Sequence, residues 1–77
     1  MTISKQQQNI LDCLDLSGGP ATIKNPYSGV KVDLDARGVA LYDFIKGCEI
    51  LGNYKDFDPA MHLFAEFYPN EFLKLLD

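Results

Sequence analysis

The fold is decided by residues 35–52, DARGVALYDFIKGCEILG, which carry the clearest helical pattern of the chain. A broad apolar stripe results from the three- and four-residue spacing of Leu41, Phe44, Ile45, Cys48 and Leu51. Asp35 suits the N-cap position, and Gly52 followed by Asn53 is a strong stop signal. The pattern therefore predicts a helix over residues 36–51.

The aromatic residues locate the core in the C-terminal half of the chain. Eight of the nine lie between Tyr42 and Phe72. A further helix is predicted to begin at Asp58, an N-cap followed by proline, and to end before Pro69. A last short helix is predicted over residues 70–76. In the helix that begins at Asp58, the side chains expected to face the core are those of Met61, Phe64, Ala65 and Tyr68. Leu63 and Phe67 are expected at the sides of this apolar stripe.

The sequence pattern of the N-terminal half predicts one helix followed by one β-hairpin. Ser4 and Gln7 fit a capping box, so a helix should start after Ser4 and stop before the SGGP sequence of residues 17–20. Residues 21–24 and 30–34 alternate apolar and polar side chains, which is typical of paired strands. Asn, Pro and Gly within residues 25–29 supply the chemistry of the intervening turn.

These elements predict an α+β fold in a single domain over residues 1–77, with an N-terminal helix, one β-hairpin and two to three C-terminal helices. A composition that is 47% hydrophobic excludes a disordered chain. A chain of this length hides only roughly 60–65% of its unfolded surface on folding. The surplus apolar surface can serve a partner or an interface between two copies.

Charge and length set limits on partners and location. Residues 1–32 hold three bases and two acids, whereas residues 33–77 hold four bases and nine acids. Because a negative field repels phosphate, binding of nucleic acid is not expected. Residues 1–8 lack the apolar stretch of a signal peptide, and no run approaches the roughly 18 apolar residues that span a bilayer. A cytoplasmic location without membrane attachment is therefore expected.

The two cysteines lie within apolar helical patterns, and both Cys13 and Cys48 are therefore predicted to be buried, reduced thiols. A disulfide between them and a reactive or ligand role are the alternatives, because sequence does not show whether the two thiols are close.

No motif for catalysis, cofactor binding or metal binding stands out. Asp33 and Asp35 resemble the start of a calcium-binding EF-hand loop, but Arg37 and Phe44 occupy later ligand positions. His62 is the sole histidine and has no spacing to a nucleophile, so a surface imidazole is expected. Asp56 and Asp58 could act as acid and base only if burial separated their pKa values. The sequence thus predicts no catalytic residue, no cofactor and no metal.

The candidate binding residues are aromatic side chains set among polar ones. Residues 52–57 are predicted to form a loop between two helices, in which Tyr54 stands beside Lys55 and Asp56. Tyr27 occupies the tip of the predicted hairpin. Amphipathic aromatics in such positions are favoured at protein interfaces, although they can also simply cover a helix junction or fill a turn.

From about residue 25 onward, the sequence resembles small uncharacterised proteins encoded by phages and prophages. The matching residues are Asn25-Pro26 with Gly29, residues 39–47, Tyr54, Phe57-Asp58, Phe64-Ala65, Tyr68-Pro69 and Leu75-Leu76. The resemblance carries no catalytic residue. It implies a context in which small proteins inhibit, recruit or adapt a host protein.

Three functional classes follow. The first is a small non-enzymatic protein-binding module, which the resemblance would make a phage accessory factor or inhibitor acting on a host protein. The second is a homo-oligomeric structural or assembly protein, such as a homodimer, because self-association adds stability to a small core. An enzyme is a distant third, because so small a core leaves little room for a pocket.

Overall fold

The structure is a computed structural model that describes residues 3–75. Its elements are α1 (Lys5–Asp12), β1 (Ala21–Lys24), β2 (Lys31–Leu34), α2 (Ala36–Leu51), α3 (Tyr54–Phe67) and α4 (Pro69–Leu75). This order confirms the predicted α+β fold, with an N-terminal helix, one antiparallel hairpin and three C-terminal helices. The predicted end of the last helix at Leu76 lies outside the described residues. Within residues 3–75, no helix combines the length and apolar character needed to cross a membrane.

The capping box opens α1 as predicted. The Gln7 N–H donates to Ser4 Oγ at 3.1 Å, and the Ser4 N–H donates to Gln7 Oε1 at 3.0 Å. Cys13, which was predicted to be buried, is exposed because it is the C-cap residue of a short helix whose buried side chain is Ile10. Cys48 is buried, its burial raises the pKa of its thiol, and both cysteines are free.

The hairpin packs one face on the helices. Ile23 lies opposite Val32, and Ala21 lies opposite Leu34. Val32 and Leu34 are buried, whereas Val30, predicted on the same face, precedes β2 and is exposed. Because two strands alone are marginal in water, contact of this face with α2 and α4 is what stabilises the hairpin.

The bounds of α2 agree with the prediction, but its buried face differs in part. Asp35 Oδ1 accepts the Gly38 N–H at 2.8 Å, which confirms the N-cap. Tyr42 is buried, whereas Leu51, predicted on the apolar stripe, is 83% exposed. Leu51 is the last residue of the helix, so it lies beyond the part of α2 that its neighbours cover.

The third helix begins five residues earlier than predicted, because its N-cap is Asn53 instead of Asp58 and its first residue is Tyr54 instead of Pro59. Residues 54–57 are therefore the first turn of α3 and not part of a loop. Its buried residues are Ala60, Leu63 and Phe64, and Met61 and Tyr68 are only partly buried. Leu63 was expected at the side of the stripe. It is buried because α3 contacts α1, α2 and α4, so its covered face is broad.

One hydrophobic cluster joins all the elements. The largest side chains with no accessible surface are those of Phe64, Leu41, Ile45 and Leu63. The Phe64 ring lies 5.3 Å from that of Tyr68, 6.3 Å from that of Tyr42 and 6.5 Å from that of Phe72, measured between centroids. Phe64 thus connects α2, α3 and α4 at the centre of the core.

Pro59 leaves a gap in the hydrogen bonding of α3, and α1 fills it. In a regular helix the N–H of residue 59 would donate to the Lys55 carbonyl, but proline has no N–H. Gln6 Nε2 instead donates to the Lys55 carbonyl at 3.0 Å and to Asp56 Oδ1 at 2.9 Å. Gln7 Nε2 donates to the Pro59 carbonyl at 3.3 Å. Side-chain amides of α1 therefore dock it on α3.

We expect Gln6→Ala to lower the free energy of unfolding by about 1 kcal/mol, because it removes two hydrogen bonds to partly exposed acceptors. In a Pro59→Ala background the same change should cost less, since the alanine N–H supplies the bond that Lys55 lacks. A double-mutant cycle by urea denaturation measures this coupling. Gln8→Ala is the matched control, because the Gln8 side chain bonds, among residues 3–75, only to Asp12 of its own helix. Equal costs of Gln6→Ala in both backgrounds would contradict the compensation.

Candidate protein-binding surface

Three large apolar side chains are exposed where α2 meets α3. Ile50 is 82% exposed, Leu51 is 83% exposed and Tyr54 is 66% exposed. These three residues are called the α2–α3 corner below. Isolated exposed apolar residues are common on protein surfaces, but three within five consecutive positions form a patch.

The corner is presented by a tight connection between the two helices. Gly52 adopts a φ of 72°, and the Asn53 N–H donates to the Cys48 carbonyl at 2.8 Å, as in a Schellman motif. Only Gly52 and Asn53 separate α2 from α3, which leaves the side chains at both helix ends without a covering segment. The Tyr54 ring meets Phe57 edge-on, with centroids 6.1 Å apart.

Tyr27 is displayed on a turn that is fixed by Asn25. Asn25 Oδ1 accepts the N–H of Tyr27 at 2.8 Å and that of Ser28 at 3.2 Å. Asn25 Nδ2 donates to the Lys74 carbonyl at 2.8 Å, and this bond ties the turn to α4. Asn25 is buried, while Tyr27 is 96% exposed. The Asn25 side chain thus fixes the turn by three hydrogen bonds, and the turn exposes the Tyr27 ring to solvent.

An open cleft of about 420 Å³ lies between this turn, α2, α3 and the end of α4. We call it the tip cleft; it is lined by Asn25, Tyr27, Ser28, Lys46, Glu49, Phe57, Met61 and Leu75. Lys46 and Glu49 form an ion pair across its α2 side, at 3.6 Å. Because Phe57 both lines this cleft and contacts Tyr54, it links the two aromatic residues that the sequence identified.

Lys55 and Asp56 line a different cleft, of about 550 Å³, between α1 and the start of α3. Asp56 Oδ1 accepts from Gln6, and its Oδ2 accepts from Asn53 at 3.1 Å. These bonds, first that from Gln6 and then that from Asn53, hold the pKa of Asp56 below its usual value. Asp56 therefore has a structural role in holding α1, and the predicted group of Tyr54, Lys55 and Asp56 is divided between two faces.

Sequence reasoning did not identify Ile50 and Leu51. Ile50 follows Cys48 by two positions and so lies off the apolar stripe, which was a usable signal of exposure. Leu51 gave no such signal, because it continues the stripe at the correct spacing. Only the position of the helix end relative to its neighbours shows that Leu51 is uncovered.

A second group of hydrogen-bonded polar side chains lies away from these surfaces. The Tyr68 hydroxyl donates to Asp35 Oδ1 at 2.6 Å and accepts from Arg37 Nε at 3.2 Å. The bond from Tyr68 and that from the Gly38 N–H lower the pKa of Asp35. Burial, followed by the bond to Asp35, raises the pKa of Tyr68. Asp35 caps the start of α2, and Tyr68 lies at the end of α3. The hydrogen bonds among Asp35, Arg37 and Tyr68 therefore join these two helices.

The other residues considered for metal binding or catalysis are Asp33 and His62. Asp33 matched the first ligand position of a calcium-binding EF-hand loop. In the structure its Oδ1 accepts a hydrogen bond from the Thr22 hydroxyl at 2.5 Å. His62 is exposed on α3, as expected of a surface imidazole. Within residues 3–75, no three side chains of His, Cys, Asp or Glu come together in a way that could hold a metal ion.

Comparison with protein-family models, with curated proteins and with solved structures finds no match to this chain. Function is therefore inferred from the residues of the chain itself.

Proposed function

We propose that this protein is a small non-enzymatic module that binds another protein through the α2–α3 corner. The observation that carries the proposal is the exposure of Ile50, Leu51 and Tyr54 within five consecutive residues. Contiguous exposed apolar surface on a small protein is typical of an interaction site.

The corner has the composition of an interface centre. Tyr54 offers a large ring at low entropic cost, and its edge-on contact with Phe57 restricts its motion. Asn53 and Glu49 are exposed beside it and supply a polar rim. Phe57 extends the surface toward the tip cleft and Tyr27, so a partner that covers the corner can also reach the hairpin turn.

The partner class that the resemblance to phage-encoded proteins favours is a host protein. A phage accessory factor or inhibitor remains a prediction of that resemblance. A cytoplasmic location is likewise a prediction from the sequence.

The proposal is tested by affinity capture from a cell lysate followed by a binding measurement with the purified captured protein. Tyr54→Ala should weaken binding by about 30-fold, because aromatic hot spots contribute roughly 2 kcal/mol or more. Leu51→Asn should also weaken it, whereas Tyr27→Ala should have a smaller effect. Leu73→Asn is the matched control, since Leu73 is 61% exposed on α4 and outside the corner.

The stability of the Tyr54→Ala variant shows whether the Tyr54 ring serves binding or belongs to the core. Tyr54→Ala should change the free energy of unfolding by less than about 0.5 kcal/mol, as is usual for exposed positions. If Tyr54→Ala lowers the melting temperature by several degrees while binding survives, the ring belongs to the core and the proposal is wrong. Asp56→Lys is a poor probe of binding, because it also removes the bonds from Gln6 and Asn53.

A homo-oligomer is the second candidate, because the same apolar corner could pack on its counterpart in another copy about a two-fold axis. Light scattering over a concentration series distinguishes the two. A stable dimer at micromolar concentration that Leu51→Asn dissociates would favour self-association over a separate partner.

A further inference from the structure

The outer edge of β1 carries unpaired backbone groups. The Asn25 N–H donates to the Val30 carbonyl at 2.8 Å, so residues 25 and 30 form a hydrogen-bonded pair. Because such pairs alternate along an antiparallel ladder, Ile23 and Ala21 also direct their backbone groups toward β2. The N–H and C=O groups of Thr22 and Lys24 then point away from the hairpin. Apart from the ladder between β1 and β2, no hydrogen bond within residues 3–75 involves these backbone groups.

The two strands differ in their contacts with the helices. α4 contacts β2, and the bond from Asn25 to the Lys74 carbonyl holds α4 against the turn. The chief contacts of β1 are with β2 and with α2, which packs under the inner face of the hairpin. Thr22 and Lys24 are exposed, so the edge of β1 is open to a further strand.

The outer face of the hairpin has an unbalanced positive charge at its tip end. Lys24 lies directly opposite Lys31. The pair is of the non-hydrogen-bonded kind, in which the side chains stand closest, and like charges in that position destabilise a sheet. Neither lysine forms an ion pair with another described residue. Asp33, the nearest acid on the same face, is bonded to Thr22.

We propose that the edge of β1 accepts an extended, acidic segment of another protein as a third strand. Its backbone would pair with Thr22 and Lys24. A carboxylate opposite Lys24 would offset the charge of the lysine pair. The neighbouring residue, opposite Ile23, would face inward, and an apolar side chain there would cover the half-buried Ile23. An alternation of acidic and apolar residues is therefore the preferred sequence.

Charge argues against a second copy of this chain as the occupant. Two β1 edges paired with each other would bring two more lysines onto the face that already holds Lys24 and Lys31. An acidic segment reduces this repulsion, whereas a second β1 strand increases it.

The test is an NMR titration with a synthetic nine-residue peptide that alternates glutamate and valine. Binding should shift the amide signals of Thr22 and Lys24 and slow the exchange of those amides with solvent. A matched peptide of lysine and valine should not bind at the same concentration. Lys24→Glu should weaken binding of the acidic peptide by about tenfold, because it replaces an attraction with a repulsion. Lys5→Glu, an exposed charge reversal on α1, is the matched control and should leave binding unchanged.

Four outcomes would overturn the inference, and the first three concern the titration itself. The two peptides could bind equally, the perturbed amides could be those of Ile50, Leu51 and Tyr54, or the shifts could depend on protein concentration without peptide. The last outcome would identify self-pairing. Methylation of the peptide amides that face β1 should abolish binding, and failure to do so would exclude strand addition. Leu51→Asn should bind the acidic peptide normally, so this test is independent of the α2–α3 corner.

Discussion

Phe64→Ala is expected to lower the free energy of unfolding by about 3–5 kcal/mol, a large part of the protein's total stability. Phe64 has no accessible surface and its ring contacts three other aromatic side chains. Truncation of a buried phenylalanine to alanine typically costs about 3–5 kcal/mol. At roughly 0.05–0.15 kcal/mol per residue, a chain of this size has only about 4–12 kcal/mol of total stability. Urea denaturation followed by circular dichroism measures the loss.

A matched aromatic substitution shows whether the effect depends on burial. Tyr27→Ala removes a ring that is almost fully exposed, so its free energy of unfolding should stay within about 0.5 kcal/mol of the parent protein. A loss below 1 kcal/mol for Phe64→Ala would mean that Phe64 is not the centre of the core.

Asn25→Ala is expected to have the second-largest effect, a loss of about 2–4 kcal/mol in the free energy of unfolding. The side chain is buried and makes three hydrogen bonds, to the N–H groups of Tyr27 and Ser28 and to the carbonyl of Lys74. Alanine satisfies none of them, and buried polar groups left without a partner cost about 1–3 kcal/mol each, less where water reaches them. Thermal unfolding followed by circular dichroism measures the change.

Asn25→Asp separates the two functions of this side chain. An aspartate oxygen still accepts from Tyr27 and Ser28, but the other oxygen faces the Lys74 carbonyl where the amide donated. The turn should therefore persist while its tie to α4 is lost. If Asn25→Asp is as stable as the parent protein, the bond to Lys74 does not contribute to stability.

Local signals in the sequence were sufficient for most of the fold. The capping box at Ser4, the N-cap at Asp35 and the turn after Asn25 each depend on residues within four positions of one another. The start of α3 was predicted wrongly because Asp58-Pro59 matches a helix start. The helix continues through Pro59, and the Lys55 carbonyl is satisfied by Gln6, which is distant in sequence.

The candidate binding surface was predictable in part, for a similar reason. Tyr54 and Tyr27 were identified from their polar neighbours, and both are exposed. Leu51 was assigned to the core, because periodicity identifies the face of a helix but not how far along it the neighbouring elements extend. Asp56 was grouped with Tyr54 from adjacency in sequence, although its partners lie on α1 and at Asn53.

The glutamine contacts between α1 and α3 bear on how the chain folds during synthesis. They join residues 49 to 52 positions apart, and the bond from Asn25 to Lys74 also spans 49. At about 5–20 residues per second, the ribosome needs roughly 3–10 s to add that much chain. An eight-residue helix is not stable alone in water over this interval. We therefore expect the nascent chain to reach its fold only after α3 and α4 have been synthesised, and the apolar side chains of α1 to remain accessible to chaperones until then.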